Sequence, residues 1–156
     1  MRGYSSILVP LVGSRASERA LEVACRLASE RGATITAVSV IEVPPLLPLD
    51  AHMHEEERDA RAVLAAAEAV ADSYGISVAA RILRAREAAT AIVEQALTLE
   101  AQIVVLGAER KPRLRARAPV FGRTVREVLK EAPCRVIVVG APTTMNRSRT
   151  APFESP

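Results

Sequence analysis

The feature of this sequence that most constrains its fold is the regular alternation of short, β-branched apolar runs with longer stretches of helical periodicity. Strand-like runs occupy residues 4–10, 34–41, 76–83, 102–106 and 135–139. Helical stretches occupy residues 17–31, 53–74, 86–100 and 125–132. Strands that alternate with helices pair in parallel through right-handed crossovers. We therefore predict an α/β fold with one doubly wound, five-stranded parallel sheet and helices on both of its faces.

Local signals predict where the helices end and which faces they bury. Gly75 is suited to end the helix at 53–74, because glycine readily adopts the left-handed conformation that follows many helices. Ser14 is suited to cap the start of the first helix. The helix at 86–100 is predicted to bury a face made of Ala89, Ile92, Val93, Ala96 and Leu97.

Length and composition predict one intracellular domain. A chain of 156 residues with 49% hydrophobic residues fits a single domain, which we place at residues 1–141, followed by a disordered tail at 142–156. Two Tyr, two Phe and no Trp argue against a base-stacking surface and hence against nucleic-acid binding. No apolar stretch approaches the roughly 20 residues of a membrane span, and the N-terminus lacks a secretory apolar segment. We expect a cytoplasmic protein with free thiols.

A strongly basic segment follows the fourth strand and extends into the first turn of the last helix. Gly107 and Gly122 stand near its two ends, and no acidic residue occurs between Arg110 and Arg126. A glycine-containing loop before a helix N-terminus can hold an anion, because the first amides of a helix attract negative charge. The segment is either an anion-contacting loop or a solvated charge run. Its basic residues are Arg110, Lys111, Arg113, Arg115, Arg117, Arg123 and Arg126.

The predicted topology places this segment beside two other loops. Ligands of doubly wound sheets bind beyond the carboxyl ends of the strands, where the direction of winding reverses. The loops at those ends occupy residues 10–14, 41–50 and 107–121. We expect them to form three walls of one ligand site.

Other candidate sites have simpler interpretations. His52 and His54 stand beside three glutamates, but no third ligand shares helical spacing with both. We therefore favour the start of a helix over a metal site at these residues. The prolines at 44, 45 and 48 indicate a stiff loop. Ser14, Ser17 and Ser39 have no histidine in a triad-like pattern, and no pair of carboxylates converges in a loop. We expect no enzymatic activity, with slow nucleotide hydrolysis left open.

Three segments carry a resemblance to the universal stress protein family over nearly the whole chain. They read ILVPLVGSRASERALEVA at the start, AVSVIEVPP where the second strand passes into its loop, and GAERKPRLRARAPVFGRTVREVLKEAPCRVIVV at the end. The resemblance implies an α/β fold with strand order 3-2-1-4-5 and a homodimer formed through the last strand, near Val136 to Val139. One branch of this family binds ATP or related adenine nucleotides, and another does not.

The chain departs from the nucleotide-binding branch at several positions. Val12 stands where that branch has an Asp, Arg110 replaces the second loop glycine, and eleven residues rather than nine precede Gly122. A valine supplies no oxygen to a ribose or a metal, so the expectation of magnesium is weakened. Arg110 restricts the backbone but offers a planar donor fork suited to phosphate.

The resemblance implies a degenerate site for ATP, ADP, AMP or cyclic AMP in a small stress-response regulator. The base would lie in an apolar slot near Pro10, Leu11, Val12 and Val40. The phosphates would lie near the last helix. The alternative is a nucleotide-free module whose basic loop docks an acidic partner, such as the cytoplasmic domain of a transporter. The predicted nucleotide-binding residues are Pro10, Leu11, Val12, Val40, Leu106, Gly107, Glu109, Arg110, Gly122, Arg123, Thr124 and Val125.

Overall fold

The computed structural model describes residues 5–109 and 122–140, which form five strands and four helices in strict alternation. The strands are β1 (Ser6–Pro10), β2 (Thr34–Glu42), β3 (Val78–Ala85), β4 (Ile103–Ala108) and β5 (Arg135–Gly140). The helices are α1 (Arg15–Arg31), α2 (His54–Ser73), α3 (Ala88–Thr98) and α4 (Arg123–Glu131). The predicted elements are all present, and their ends differ from the predicted ones by a few residues. The predicted tail at 142–156 lies outside the described residues.

All strand pairs are parallel, and the sheet order is β3-β2-β1-β4-β5. β1 is central, since Ile7 is paired with Ile35 of β2 on one side and with Ile103 of β4 on the other. The chain winds outward from β1 to β3 and then crosses back to β4. The predicted fold class and strand order are therefore confirmed, and the reversal of winding lies between β1 and β4.

Side-chain alternation along β1 divides the core into two layers. Ile7 and Val9 pack with residues of α1 and α2 on one face of the sheet. Leu8 packs with residues of α3 and α4 on the other face. Because both faces of the central strands are covered, their sequences are nearly continuous apolar runs rather than alternating ones.

The ends of the first two helices follow from local chemistry. Ser14 is the N-cap of α1, and its hydroxyl oxygen accepts a 3.1 Å hydrogen bond from the Ser17 amide. Gly32 ends α1 and Gly75 follows α2, both with positive φ, at 70° and 73°. The predictions for Ser14 and Gly75 are confirmed, because a hydroxyl cap and a left-handed glycine need no distant partner.

Leu97 is not on the buried face of α3, and the prediction that it would be was wrong. Its side chain is 59% exposed, whereas Ile92 and Ala96 are buried. Five residues of helix rotate the side chain by about 140° relative to Ile92, which carries Leu97 outside a buried stripe of roughly 100°.

None of the helices within residues 5–109 and 122–140 combines the length and the apolar character that a bilayer crossing requires.

Candidate functional site

A cavity of about 310 Å³ opens at the carboxyl ends of β1, β2 and β4, beside the point where the winding reverses. Eleven of the twelve residues predicted from the sequence line it, and Arg110 lies outside the described residues. The eleven are Pro10, Leu11, Val12, Val40, Leu106, Gly107, Glu109, Gly122, Arg123, Thr124 and Val125. Sequence reasoning did not assign Ser14, Ser17, Ala88, Ile92 and Ala108 to this site, although all five line the cavity.

The inner part of the cavity is apolar. Leu11, Leu106, Ile92 and Val125 are buried. Val12 also lines the cavity, but its side chain is 77% exposed and therefore belongs to the rim. An apolar interior with a few polar groups at one end is the usual construction of a site for a small ligand with a flat apolar part.

The amides of the first loop already have partners within the protein. The Leu11 amide donates to the Val38 carbonyl at 2.8 Å, and the Val12 amide donates to the Ser17 hydroxyl at 3.4 Å. These hydrogen bonds hold the loop after β1 against β2 and α1. Recognition of a ligand by this loop would therefore rely on other groups than these two amides.

Gly107 is required for packing between α1 and β4. A Cβ atom built on this residue would lie 2.4 Å from both the Ala16 carbonyl carbon and the Ser17 nitrogen. The sequence predicts that Gly107 contacts the nucleotide, and Gly107 lines the cavity. The structure adds a packing reason for the glycine, because the backbone that approaches it belongs to the first turn of α1.

That close approach brings Glu109 to the N-terminus of α1. The Ala16 amide donates a 3.2 Å hydrogen bond to Oε2 of Glu109, which lies 93 residues away in the sequence. Ser14 accepts from the next amide, that of Ser17. Two of the first amides of α1 are thus occupied by side chains, and a carboxylate stands at the positive end of the helix.

The N-terminus of α4 has a different character. Its N-cap is Gly122, which makes no side-chain capping hydrogen bond, and a Cβ on Gly122 would meet no described atom within 4 Å. The Arg123 guanidinium lies 3.5 Å from the Glu87 carboxylate, but the two side chains are 80% and 60% exposed. A pair this exposed contributes little stability, so Arg123 can exchange Glu87 for a ligand anion at small cost.

The loop after β2 does not form the predicted third wall of the cavity. Val40 of β2 lines the cavity, together with Ala88 and Ile92 of α3, but no residue of 41–50 does. Arg84, near the end of β3, and Arg86, just after it, hold this loop outside the cavity. Nη1 of Arg86 donates to the carbonyls of Pro44 at 2.6 Å and Leu47 at 2.8 Å.

A second arginine fixes the far end of the same loop. Nη1 of Arg84 donates to the Ala51 carbonyl at 2.9 Å, and its Nη2 pairs with the Glu57 carboxylate of α2. The loop is therefore ordered by charged hydrogen bonds to backbone carbonyls, although Leu46 at its tip is 96% exposed.

The remaining candidate groups are two histidines and two cysteines. His52 and His54 stack at the start of α2, with ring centroids 5.6 Å apart. Within the described ranges, no group of three or more His, Cys, Asp and Glu residues is arranged to hold a metal ion. Burial raises the pKa of the Cys25 thiol, as does the nearby Glu22 charge, and burial also raises the pKa of Cys134. Both thiols are therefore weak nucleophiles at neutral pH.

Comparisons with known proteins agree on one family. The sequence model of the universal stress protein family matches residues 3–140. A universal stress protein of Methanocaldococcus jannaschii is 28% identical over 145 residues, which span 89% of this chain and 84% of the relative.

Solved structures of that family have the same fold. A universal stress protein of Archaeoglobus fulgidus in complex with dAMP superposes with a TM-score of 0.70 at 23% identity, covering 87% of this chain and 98% of its own. A universal stress protein in complex with cAMP superposes with a TM-score of 0.68 at 18% identity, covering 89% and 98%.

Proposed function

The chain belongs to the universal stress protein family, and on that premise we propose that it is a non-enzymatic regulatory domain that binds an adenine nucleotide in the cavity beyond β1, β2 and β4. The observation that carries the proposal is the pairing of two unlike regions in one cavity. Its interior is apolar, and its other end holds Arg123 and the N-terminus of α4, which no described side chain caps. A nucleotide has the matching division into a flat base and an anionic phosphate.

In the proposed binding mode, the base lies against Leu11, Val40 and Leu106. The phosphate lies at the first turn of α4, where the backbone amides, the Thr124 hydroxyl and the Arg123 guanidinium can donate hydrogen bonds. The relatives solved with dAMP and cAMP support an adenine nucleotide as the class of ligand. ATP, ADP, AMP and cyclic AMP all belong to that class.

The cavity supports binding more than catalysis. Glu109 is the only carboxylate among the described residues that line it, and its Oε2 already accepts a hydrogen bond from Ala16. No histidine lines the described part of the cavity. A general base must lie within hydrogen-bond reach of the proton that it removes, and Oε2 of Glu109 is already engaged at the N-terminus of α1.

The proposed assembly is a homodimer formed through β5 in the cytoplasm. Among the described strands, β5 pairs with β4 alone and so forms one edge of the sheet. Its four central residues, Val136 to Val139, are half-buried and apolar. An apolar edge strand of this kind favours pairing with a second copy.

A protein-docking module is the second candidate, and one observation favours it. The loop at residues 44–51 displays Leu46, Leu47 and Leu49 on the surface while Arg84 and Arg86 hold its backbone in place. Ordered, exposed leucines are typical of contact surfaces. The basic segment at 110–121, on which the docking hypothesis first rested, lies outside the described residues.

Titration calorimetry with AMP, ADP, ATP and cyclic AMP tests the first candidate. We expect saturable binding of at least one nucleotide and a loss of affinity of about tenfold or more in Arg123→Ala, which removes a charge-assisted hydrogen bond of roughly 1.5 to 3 kcal/mol. Arg61→Ala is the matched control, because Arg61 is an exposed arginine of α2 outside the cavity lining. Failure of all four nucleotides to bind the folded protein would leave the docking module as the better candidate.

A further inference from the structure

We propose that Glu109 makes this cavity select adenine nucleotides with a single phosphate group over ATP, an inference that rests on the proposed function. The polar end of the cavity otherwise offers groups that suit anions, whereas Glu109 places a carboxylate at the cavity edge. Its position, its partner and the donors that remain free all bear on which ligand fits.

Glu109 occupies a hydrogen-bond donor that a phosphate could otherwise use. The N-terminus of α1 faces the cavity through Ser14 and Ser17. A second helix N-terminus beside that of α4 would ordinarily provide another place for a phosphate. The Ala16 amide instead donates to Glu109, and the Ser17 amide donates to Ser14. The anion at α1 is supplied by the protein itself.

The close packing at Gly107 holds Glu109 beside the N-terminus of α1. The absence of a side chain on Gly107 lets the first turn of α1 lie directly against the end of β4, with a separation that no other residue would permit. Glu109 follows two residues later, and its carboxylate reaches the Ala16 amide at 3.2 Å. The negative charge is therefore held at the cavity edge by the packing of α1 on β4.

The charge of Glu109 disfavours a ligand with more than one phosphate group. Among the described residues that line the cavity, the first turn of α4 with Arg123 provides one cluster of phosphate donors. A single phosphate group can use this cluster fully. Each further phosphate adds negative charge in a cavity that already contains Glu109, and like charges repel. Val12, at the rim, has no oxygen that could hold a cation between them.

Calorimetric titrations of AMP and ATP in EDTA at low ionic strength test the inference with three variants. The unmodified protein should bind AMP more tightly than ATP. Glu109→Gln removes the charge and should raise ATP affinity about tenfold and AMP affinity about threefold or less. The ratio of AMP affinity to ATP affinity should therefore fall. Added salt should reduce this difference, because Glu109 is exposed. Glu109→Asp keeps the charge and should keep the preference for AMP. Glu68→Gln, on an exposed face of α2 outside the cavity, should change neither affinity.

The outcomes separate the two claims. ATP binding more tightly than AMP, with the same ratio in Glu109→Gln, overturns the selection by Glu109 and leaves nucleotide binding standing. No binding of either nucleotide by the unmodified protein or any variant, each with a native circular dichroism spectrum, overturns both. If Glu109→Gln fails to fold, the AMP-to-ATP ratios of the unmodified protein and of Glu109→Asp still decide, because ATP preference in both contradicts the inference.

Discussion

Gly107 of β4 and Ala16 of α1 are so close that a Cβ atom on the glycine would lie 2.4 Å from the Ala16 carbonyl carbon. Both contacting groups are backbone, so neither can turn aside as a side chain would. This contact sets the height of α1 above the sheet. It also determines where Ser14, Ser17 and Glu109 stand around the cavity.

Gly107→Ala should therefore destabilise the protein by about 1 to 3 kcal/mol, since the helix must move to admit one methyl group. Chemical denaturation measures the change. Gly122→Ala is the control, because a Cβ at that position meets no described atom and its φ of −71° suits any residue. Equal effects of the two substitutions would contradict the packing role of Gly107.

Val12→Asp should create a dependence on magnesium that the unmodified protein lacks. Val12 lines the rim of the cavity and is exposed, so the substitution costs little stability. Calorimetry in EDTA and in magnesium should show less than a tenfold difference in ATP affinity for the unmodified protein. The difference should be larger for Val12→Asp, because a carboxylate can bind the cation. Val12→Asn has a similar shape without the charge and should behave like the unmodified protein.

Arg86→Ala should loosen the loop at residues 44–51 without changing the cavity. Nη1 of Arg86 donates to three carbonyls, those of Val43, Pro44 and Leu47. Its removal should speed hydrogen exchange at the Leu47 amide by about tenfold or more, since a lost charged hydrogen bond costs roughly 1.5 to 3 kcal/mol. Arg81→Ala, an exposed arginine of β3, serves as the control. Unchanged exchange in Arg86→Ala would mean that the prolines and Arg84 order the loop without Arg86.

Either Ile137→Lys or Val138→Lys, whichever residue faces the partner, should dissociate the proposed dimer. Val136 and Val138 face the core layer of α3 and α4, whereas Ile137 and Val139 face the layer of α1 and α2. Either pair could supply the partner contact, so Ile137→Lys is tested in parallel. Light scattering should give a dimer mass for the unmodified protein and a monomer mass for one of these variants.

Leu97→Lys controls for the added charge, because Leu97 is exposed on α3 and does not belong to the edge strand β5. Denaturation curves show whether each variant is folded. A monomer mass for the unmodified protein at micromolar concentration would remove the dimer from the proposed function.

The sequence by itself determined the alternation of elements, the places where helices begin and end, and most of the residues around the cavity. Ser14 caps α1 through an amide three residues away, and Gly75 needs only its own backbone freedom. Such interactions are local and therefore visible in a linear pattern. The strand order and the position of the site came from the family resemblance and from the rule for doubly wound sheets, which the topology satisfies.

Only the tertiary structure decided which groups meet across long separations in the chain. The bond between Glu109 and Ala16 joins residues 93 apart, and Arg86 reaches carbonyls about 40 residues earlier, so that the loop at 41–50 is held away from the cavity. The sequence predicts that Gly107 contacts the ligand, but the contact with α1 that leaves no room for a side chain is visible only in the structure. A sequence shows that a residue has charge or lacks a side chain. Which atoms it meets depends on how distant elements pack, because those contacts exist only after the helices are placed on the sheet.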